Sequence, residues 1–323
     1  SSPVQPGPES MRTAGIWPEN LPTALFGYDP VCGGRLTGGE NPTSALPHMD
    51  NRKVAVVGGG IGGIAAALSL AQRGLRVTVY EQASRLDEVG AGIQLSPNAM
   101  RVLHHLGLDE AIRMVSCRPD VVEIRRWHDG RSLARTAVGS GRFDFPYCHI
   151  HRADLIEVMA RHADAHANIS IVTSARVDDV IEYQDRVTLL IDGHEHHADV
   201  VVGADGLHSR VRGRLFGAEA PRFTGQVAWR ALVPAAAVPA DLITAAATAW
   251  WGPHRHFIHY YVRGEQWINC VGVIEQTHWT LESWTERGEY GTLKAEFAEW
   301  HPSIRTLIDG IDPESCFKWA LFD

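Results

Sequence analysis

The chain has 323 residues, 45% apolar and 21% charged, which is ordinary usage for a folded globular protein and excludes a disordered or collagen-like chain. At this length one large or two closely joined domains with a sizeable core are expected. The formal charge of −8, with no basic patch to offset it, disfavours nucleic acid or an anionic membrane as partner, and no apolar run reaches the roughly eighteen residues of a spanning helix.

Residues 1–48 hold eight of the seventeen prolines and seven glycines without helical or strand period, and read as an extended or disordered leader. A clean pattern begins at Met49, where the folded chain is expected to start, and nothing before it has the form of a signal peptide. An apolar strand over 53–57, a glycine turn, a helix over about 61–73 closed by Gly74 and a strand over 76–81 make a βαβ unit; it predicts a parallel sheet with helices on its faces. Ser96-Pro97 reads as the N-cap and first residue of a helix ending at Gly107. Asp129-Gly130 and Asp192-Gly193 are predicted hairpin turns, and 198–203 a short buried strand running into Asp205-Gly206. Beyond about residue 220, eight of the ten tryptophans fall in 229–319 among strand-like runs at 226–233, 256–262 and 266–273. These predict a second, more antiparallel sheet layer, followed by helices at about 290–300 and 302–309.

The strongest chemical signal is Val54-Ala-Val-Val-Gly58-Gly59-Gly60-Ile61-Gly62-Gly63, with its strand, its helix and an acidic residue, Glu81, eighteen positions beyond Gly63. Gly58 allows the tight turn, Gly60 lets the backbone approach a pyrophosphate, and Gly63 lets helix and sheet pack closely. The phosphates are expected at the amide-rich, positive end of the helix. Glu81 accepts from an adenosine ribose, and its charge repels a 2′-phosphate. This unit binds ADP and does not by itself separate FAD from NAD. No second fingerprint follows, although an enzyme holding two dinucleotides in separate folds needs two. Asp205 closes a parallel strand at the sheet edge where ligands bind, and Gly206 frees the turn there; an ordinary Asp-Gly turn has the same letters. His194, His196 and His197, after a hairpin turn, and His254-x-His256 invite a metal reading, but neither group has a third ligand at site-like spacing. The five scattered cysteines fit a reducing, cytoplasmic setting.

Three further stretches resemble the FAD-dependent aromatic hydroxylases, the single-component flavoprotein monooxygenases of the salicylate hydroxylase and para-hydroxybenzoate hydroxylase type. Glu88-Val-Gly90-Ala-Gly92-Ile-Gln94-Leu-Ser-Pro97-Asn98-Ala is similar to the glycine loop and helix that pass the flavin. His151-Arg152-Ala-Asp154-Leu155 is similar to the segment whose arginine contacts the cofactor, and Asp205-Gly206-Leu-His-Ser209-Arg-Val-Arg212 to the D-G-x-x-S-x-x-R signature, whose aspartate is associated with FAD and transient NAD(P)H binding. The resemblance runs from about residue 52 to the end. It implies an α/β fold: a Rossmann-like FAD-binding domain with a parallel sheet over 49–220, including inserted hairpin elements, interleaved with a β-rich substrate-binding domain mostly over 221–323.

The activity implied is NAD(P)H-dependent monooxygenation of a phenolic or aromatic carboxylate substrate. NADH or NADPH reduces FAD, O₂ forms a flavin C4a-hydroperoxide, and the protein excludes water from it. The cofactor contacts implied are Gly58, Gly60, Ile61, Gly62, Gly63, Glu81, Gln82, Gln94, Arg152 and Asp205. Gln94, Gln226, Trp229, His259 and Tyr260 are the candidates for the aromatic pocket, and no side chain identifies itself as the base for the phenol. The family's third glycine-aspartate motif, with its aspartate on the flavin ribitol, does not occur before Asp323, so a form short of the family's C-terminal part is expected. Two alternatives share every FAD motif: an epoxidase-type member of the same superfamily, and an FAD-binding but catalytically silent fragment.

Overall fold

Residues 51–86, 91–139, 141–277 and 287–323 are described in the computed structural model; the leader and Glu88–Gly90 of the glycine loop lie outside them. In chain order the first half forms β1 (Lys53–Val57), α1 (Ile61–Ala71), β2 (Arg76–Tyr80), β3 (Gly92–Leu95), α2 (Pro97–His105), α3 (Asp109–Val115), β4 (Val121–Arg126), β5 (Ser132–Ala137), β6 (Cys148–His151), α4 (Arg152–Asp164) and β7 (Ile169–Val172). There follow β8 (Val177–Glu182), β9 (Val187–Ile191), β10 (His194–Ala198), β11 (Val200–Gly203), α5 (Arg210–Phe216), β12 (Phe223–Pro234), β13 (Ala246–Gly252), β14 (Arg255–Val262), β15 (Trp267–Glu275), α6 (Tyr290–Glu296), α7 (Pro302–Asp309) and β16 (Phe317–Phe322). All of them belong to one unit, His48–Asp323.

The apolar run of β1 is buried on both sides because it occupies an inner position in a parallel sheet of order β11-β1-β2-β7. Period-two alternation sends Val54 and Val56 into a core with Ile64, Ala67 and Leu68 of α1 and Leu155 and Met159 of α4. Ala55 and Val57 face the opposite way, into a core with Val180, Leu189, Ile191 and Val211. Helices α1 and α4 thus cover one face; the other is covered by an antiparallel meander of order β10-β9-β8 together with Val211 of the short helix α5. The meander takes this place because its strands carry their own apolar stripe, and Asp192 and Gly193 at φ 50° and 77° make the tight hairpin turn that joins β9 to β10.

Strand β11 corrects the expectation of a buried strand. Among the described residues it pairs only with β1, at the sheet edge, and Val200 is 42% exposed. His194, His196 and His197 lie on the paired strand β10 rather than in a turn, and among the described residues no group of three His, Cys, Asp or Glu is placed to hold a metal. Ser96 stands at the N-cap of α2, but its hydroxyl donates to Asn98 Oδ1 and caps no backbone amide.

The tryptophan-rich half forms most of a seven-stranded mixed sheet of order β16-β12-β15-β14-β13-β4-β5, with the β4–β5 hairpin contributed from the first half. One face is packed by α6 and α7 through Trp229, Trp250, Phe257, Phe297, Trp300 and Leu307. The other carries Arg230, Tyr260, Val262 and Asn269, as the register of β12, β14 and β15 dictates. The small β3–β6 sheet abuts this second face: Gly92 N–H donates to Asn269 Oδ1 at 2.7 Å, and a Cβ on Gly92 would meet Tyr260 at 2.7 Å.

Three buried histidines, His149, His151 and His259, sit in this sheet system, and burial acts furthest on two of them. His149 of β6, 1% exposed, packs on the Tyr260 ring at 4.3 Å. His259, 4% exposed, accepts from Trp250 Nε1 at 3.0 Å. Burial pulls each down to about 3. The fold holds them neutral while the unfolded chain protonates them near 6.5, so stability is complete above pH 6.5 and is lost as pH falls toward 3. The slope is about 1.4 kcal/mol per pH unit for each fully neutral histidine. We expect His259→Gln to be shallower than the wild type by about that slope between roughly pH 6 and 4, in urea melts at each pH; parallel stability curves would refute this.

Candidate functional site

The chain from β1 into α1 is shaped by two close approaches. A Cβ on Gly63 would lie 1.9 Å from Gly58 O, and a Cβ on Gly58, whose φ is +103°, 2.3 Å from Ala204 O. Only glycine permits α1 to start this close to β1 and the end of β11 to close over the same turn. A Cβ on Gly60 or Gly62 would meet nothing. The protein itself therefore does not require glycine at these two positions, and both border a cavity of about 830 Å³, a size that takes small organic ligands. It opens at the carboxyl end of β1, between β2 and β11, the kind of switch point where α/β sheets bind ligands.

Gly58, Gly60, Ile61, Gly62, Glu81, Gln82, Arg152 and Asp205 all line this cavity, whereas Gly63 stands behind it in the helix–strand contact. The Glu81 carboxylate is held at the rim by the loop itself: Gly59 N–H donates to Oε2 at 2.6 Å and Ala83 N–H to Oε1 at 2.8 Å. Asp205 works similarly. Its Oδ1 accepts from Ser209 Oγ at 2.5 Å and its Oδ2 from Arg210 N–H at 2.7 Å, while Ser209 Oγ accepts from Arg212 N–H at 2.9 Å and caps α5. Arg212 reaches back to the carbonyl of Leu207 at 2.5 Å. The Asp-Gly-x-x-Ser-x-x-Arg stretch is thus a self-braced turn that presents Asp205 and Gly206 to the cavity.

Arg152 opens α4, its N–H donating to Ala91 O at 2.8 Å. Beside it stands a residue that sequence reasoning missed. Arg230, in the middle of β12, is 4% exposed, lines the same cavity and sits over the Trp319 ring at 3.3 Å. Burial first, and Arg152 second, pull it down to about 9, so it stays cationic at neutral pH. The signal was legible: a lone charge inside the apolar run Val227-Ala-Trp-Arg-Ala-Leu-Val233 is buried and paired or coordinates something.

Strand register separates the pocket candidates. Trp229 and His259 point into the helix-covered core, where Trp229 packs and His259 meets Trp250. Gln226 and Tyr260 share the opposite face with Arg230. Gln226 borders a separate depression with Trp251 and His256. Gln94, on β3, accepts from Tyr147 OH at 2.6 Å and is not part of the lining of the large cavity.

The family pattern described as the FAD binding domain matches residues 51–287. The chain is 38% identical over 288 residues to the 3-amino-4-hydroxybenzoate 2-monooxygenase of Streptomyces platensis, covering 86% of this chain and 70% of that protein. It is 37% identical over 276 residues to the 3-hydroxybenzoate 6-hydroxylase of Klebsiella oxytoca, covering 84% and 68%. A salicylate hydroxylase solved with its substrate superposes at a TM-score of 0.70 with 25% identity, over 85% of this chain and 69% of that one.

The two classes of glycine are separable. We expect Gly63→Ala to destabilise the fold by more than about 2 kcal/mol, since backbone must move. Gly60→Ala is expected to leave the melting midpoint within about 3 °C of the wild type while lowering affinity for the dinucleotide at least tenfold. Thermal melts and FAD titration of both variants check this; equal FAD affinity in Gly60→Ala would remove the loop from the site.

Proposed function

Because the chain belongs to the FAD-dependent aromatic-ring hydroxylases, we propose that it hydroxylates a phenolic or aromatic carboxylate, using NADH or NADPH and O₂. The observation that carries this reading is the continuity of one cavity: the glycine loop lines one end, and Arg230, from the β-rich sheet, lines the same space. Redox chemistry belongs to the bound flavin, which takes reducing equivalents from the nicotinamide and activates O₂. Everything else is done by the chain.

In this proposal the pyrophosphate lies across Gly60, Ile61 and Gly62 at the amide end of α1, where the open space above the backbone fits it. Glu81, held in place by Gly59 and Ala83, accepts from the adenosine ribose, with Gln82 beside it. Arg152 and Asp205 flank the middle of the cofactor. The parallel sheet and its coverings form the cofactor domain. The seven-stranded sheet forms the substrate domain, its Tyr260 face turned toward the cofactor side and its helix-covered face serving as core. Apolar residues of the Tyr260 face, such as Ala228 and Ile258, exclude water from the reacting ring. The described cysteines, Cys117, Cys148, Cys270 and Cys316, are buried and free, which supports a cytoplasmic setting, and no described helix is long and apolar enough to cross a membrane.

The test follows NADH consumption, hydrogen peroxide and hydroxylated product together, with salicylate, 3-hydroxybenzoate and 3-amino-4-hydroxybenzoate as probes. Hydroxylated product matching NADH consumed supports the reading; flavin binding without either reaction would leave the silent form standing. Glu81→Arg places a cation where the ribose needs an acceptor. We expect it to weaken FAD binding by roughly 1.5–3 kcal/mol, about ten- to a hundredfold in Kd, in titrations of apo-protein; unchanged affinity would take Glu81 out of the site.

A further inference from the structure

We propose that the depression bordered by Gln226, Trp251 and His256 receives the substrate's ring, and that it selects an uncharged phenol over an aromatic carboxylate. The inference rests on the aromatic-substrate reading above and narrows it. Strand register fixes where the depression lies. Arg230, which brings the seven-stranded sheet into the large cavity, shares a row across the sheet face with Val271 and Ile258. The next row on that face, about 7 Å further along the strands, is Ala228, Val273, His256 and Trp251. Val273, His256 and Trp251 of this row, with Gln226 of the one after it, line the depression, whose volume is about 250 Å³. A cavity of about 150 Å³ already holds benzene, so the space suits one substituted ring. Strands β3 and β6 lie over the same face at Tyr260 and Asn269, where Gly92 meets both. His256 is two rows beyond Tyr260, and no residue of β3 or β6 lines the depression.

The lining offers an indole and two uncommitted polar groups. Trp251 is 54% exposed, an aromatic surface left to water beside groups that can orient a ring laid on it. Among the described residues neither the Gln226 nor the His256 side chain has a hydrogen-bond partner. Burial pulls His256 below its ordinary value, so at neutral pH it offers an uncharged ring nitrogen to a hydroxyl, and the Gln226 amide offers both donor and acceptor. A carboxylate finds no such match. The basic side chains at the rim already face acids: His254 Nδ1 is 2.7 Å from Glu275 Oε2, and Arg255 donates to Glu296 Oε2 at 2.7 Å. Leaving water without a cation is costly for a carboxylate and cheap for a hydroxyl that meets polar partners. Glu275 places a second acid beside the site, which further disfavours the wrong ligand. In this respect the chain parts from the two relatives named for benzoates.

The test uses the full, FAD-loaded chain and isothermal calorimetry, which reads binding and not turnover. The probes are 3-hydroxybenzamide, resorcinol and 3-hydroxybenzoate, which share a hydroxylated ring; only the last is an anion. The wild type is expected to bind the amide and resorcinol at least about tenfold more tightly than the acid. Trp251→Ala, at an exposed position where the fold loses little, is expected to weaken both uncharged ligands about tenfold and to leave the FAD Kd within about twofold of the wild type. Gln226→Arg supplies the missing cation and is expected to reverse the preference, so that the acid binds more tightly than the amide; a damaged fold cannot produce that gain. The inference is overturned if the wild type prefers the acid, or if either substitution leaves affinities and preference as they were. If none of the three probes binds, the aromatic-substrate reading itself has failed and this inference with it; binding that favours the acid defeats only this inference.

Discussion

The contact between Gly63 and the carbonyl of Gly58 governs the nucleotide end of the molecule. With a Cβ there only 1.9 Å from that oxygen, any larger residue pushes α1 away from β1. The helix would then lose its alignment over Val54 and Val56, and its N-terminal amides would no longer converge on the cavity. Gly58 carries the same constraint sideways, because its approach to Ala204 O fixes where β11 ends and therefore where the Asp205 turn begins. Three chemically separate elements, an anion-binding helix end, an acidic rim and a self-braced aspartate turn, are positioned by two backbone contacts that only glycine allows.

At the other end, position is set by the period of β12. Trp229 goes to the helix-packed core and Arg230 to the cavity because neighbours on a strand face opposite sides. A slip of one residue would exchange them, burying a guanidinium among Trp250, Phe257 and Phe297 and moving an indole to the cofactor side. The hydrophobic pressure of α6 and α7 on Trp229 thus holds Arg230 in place: packing on one face enforces chemistry on the other.

Much of this was legible in the letters. The βαβ unit, the positions of the glycines and Glu81, the hairpins at Gly130 and Gly193 and the antiparallel character of the last hundred residues all follow from local patterns, and local patterns are what one sequence displays. What escaped was relational. Nothing in the 198–203 run says that it pairs on one side only, and nothing near Val57 says that the second face of the sheet is covered by strands. Trp229 and His259 looked like pocket residues because aromatic and imidazole groups suit a pocket; which face they take depends on register across β12, β14 and β15. The Asp205 turn could have been read further, since Ser209 and Arg212 have the spacing of an N-cap and the amide it accepts from.

Arg230 shows why the missed residue is the one with most to say. A charge at 4% exposure in the run 227–233, otherwise made of Val, Ala, Trp and Leu, breaks the pattern that folds the sheet, and its neighbour Arg152 makes the charged form harder still to maintain. An apolar residue of similar volume would stabilise the empty protein, by the reasoning that replacing buried charge with packed hydrocarbon is often favourable. The Trp319 ring beneath the guanidinium offsets part of that cost through a cation–π contact. Because Arg230 also lines the cavity, an anionic ligand bound there would return part of the stability that burying the charge costs.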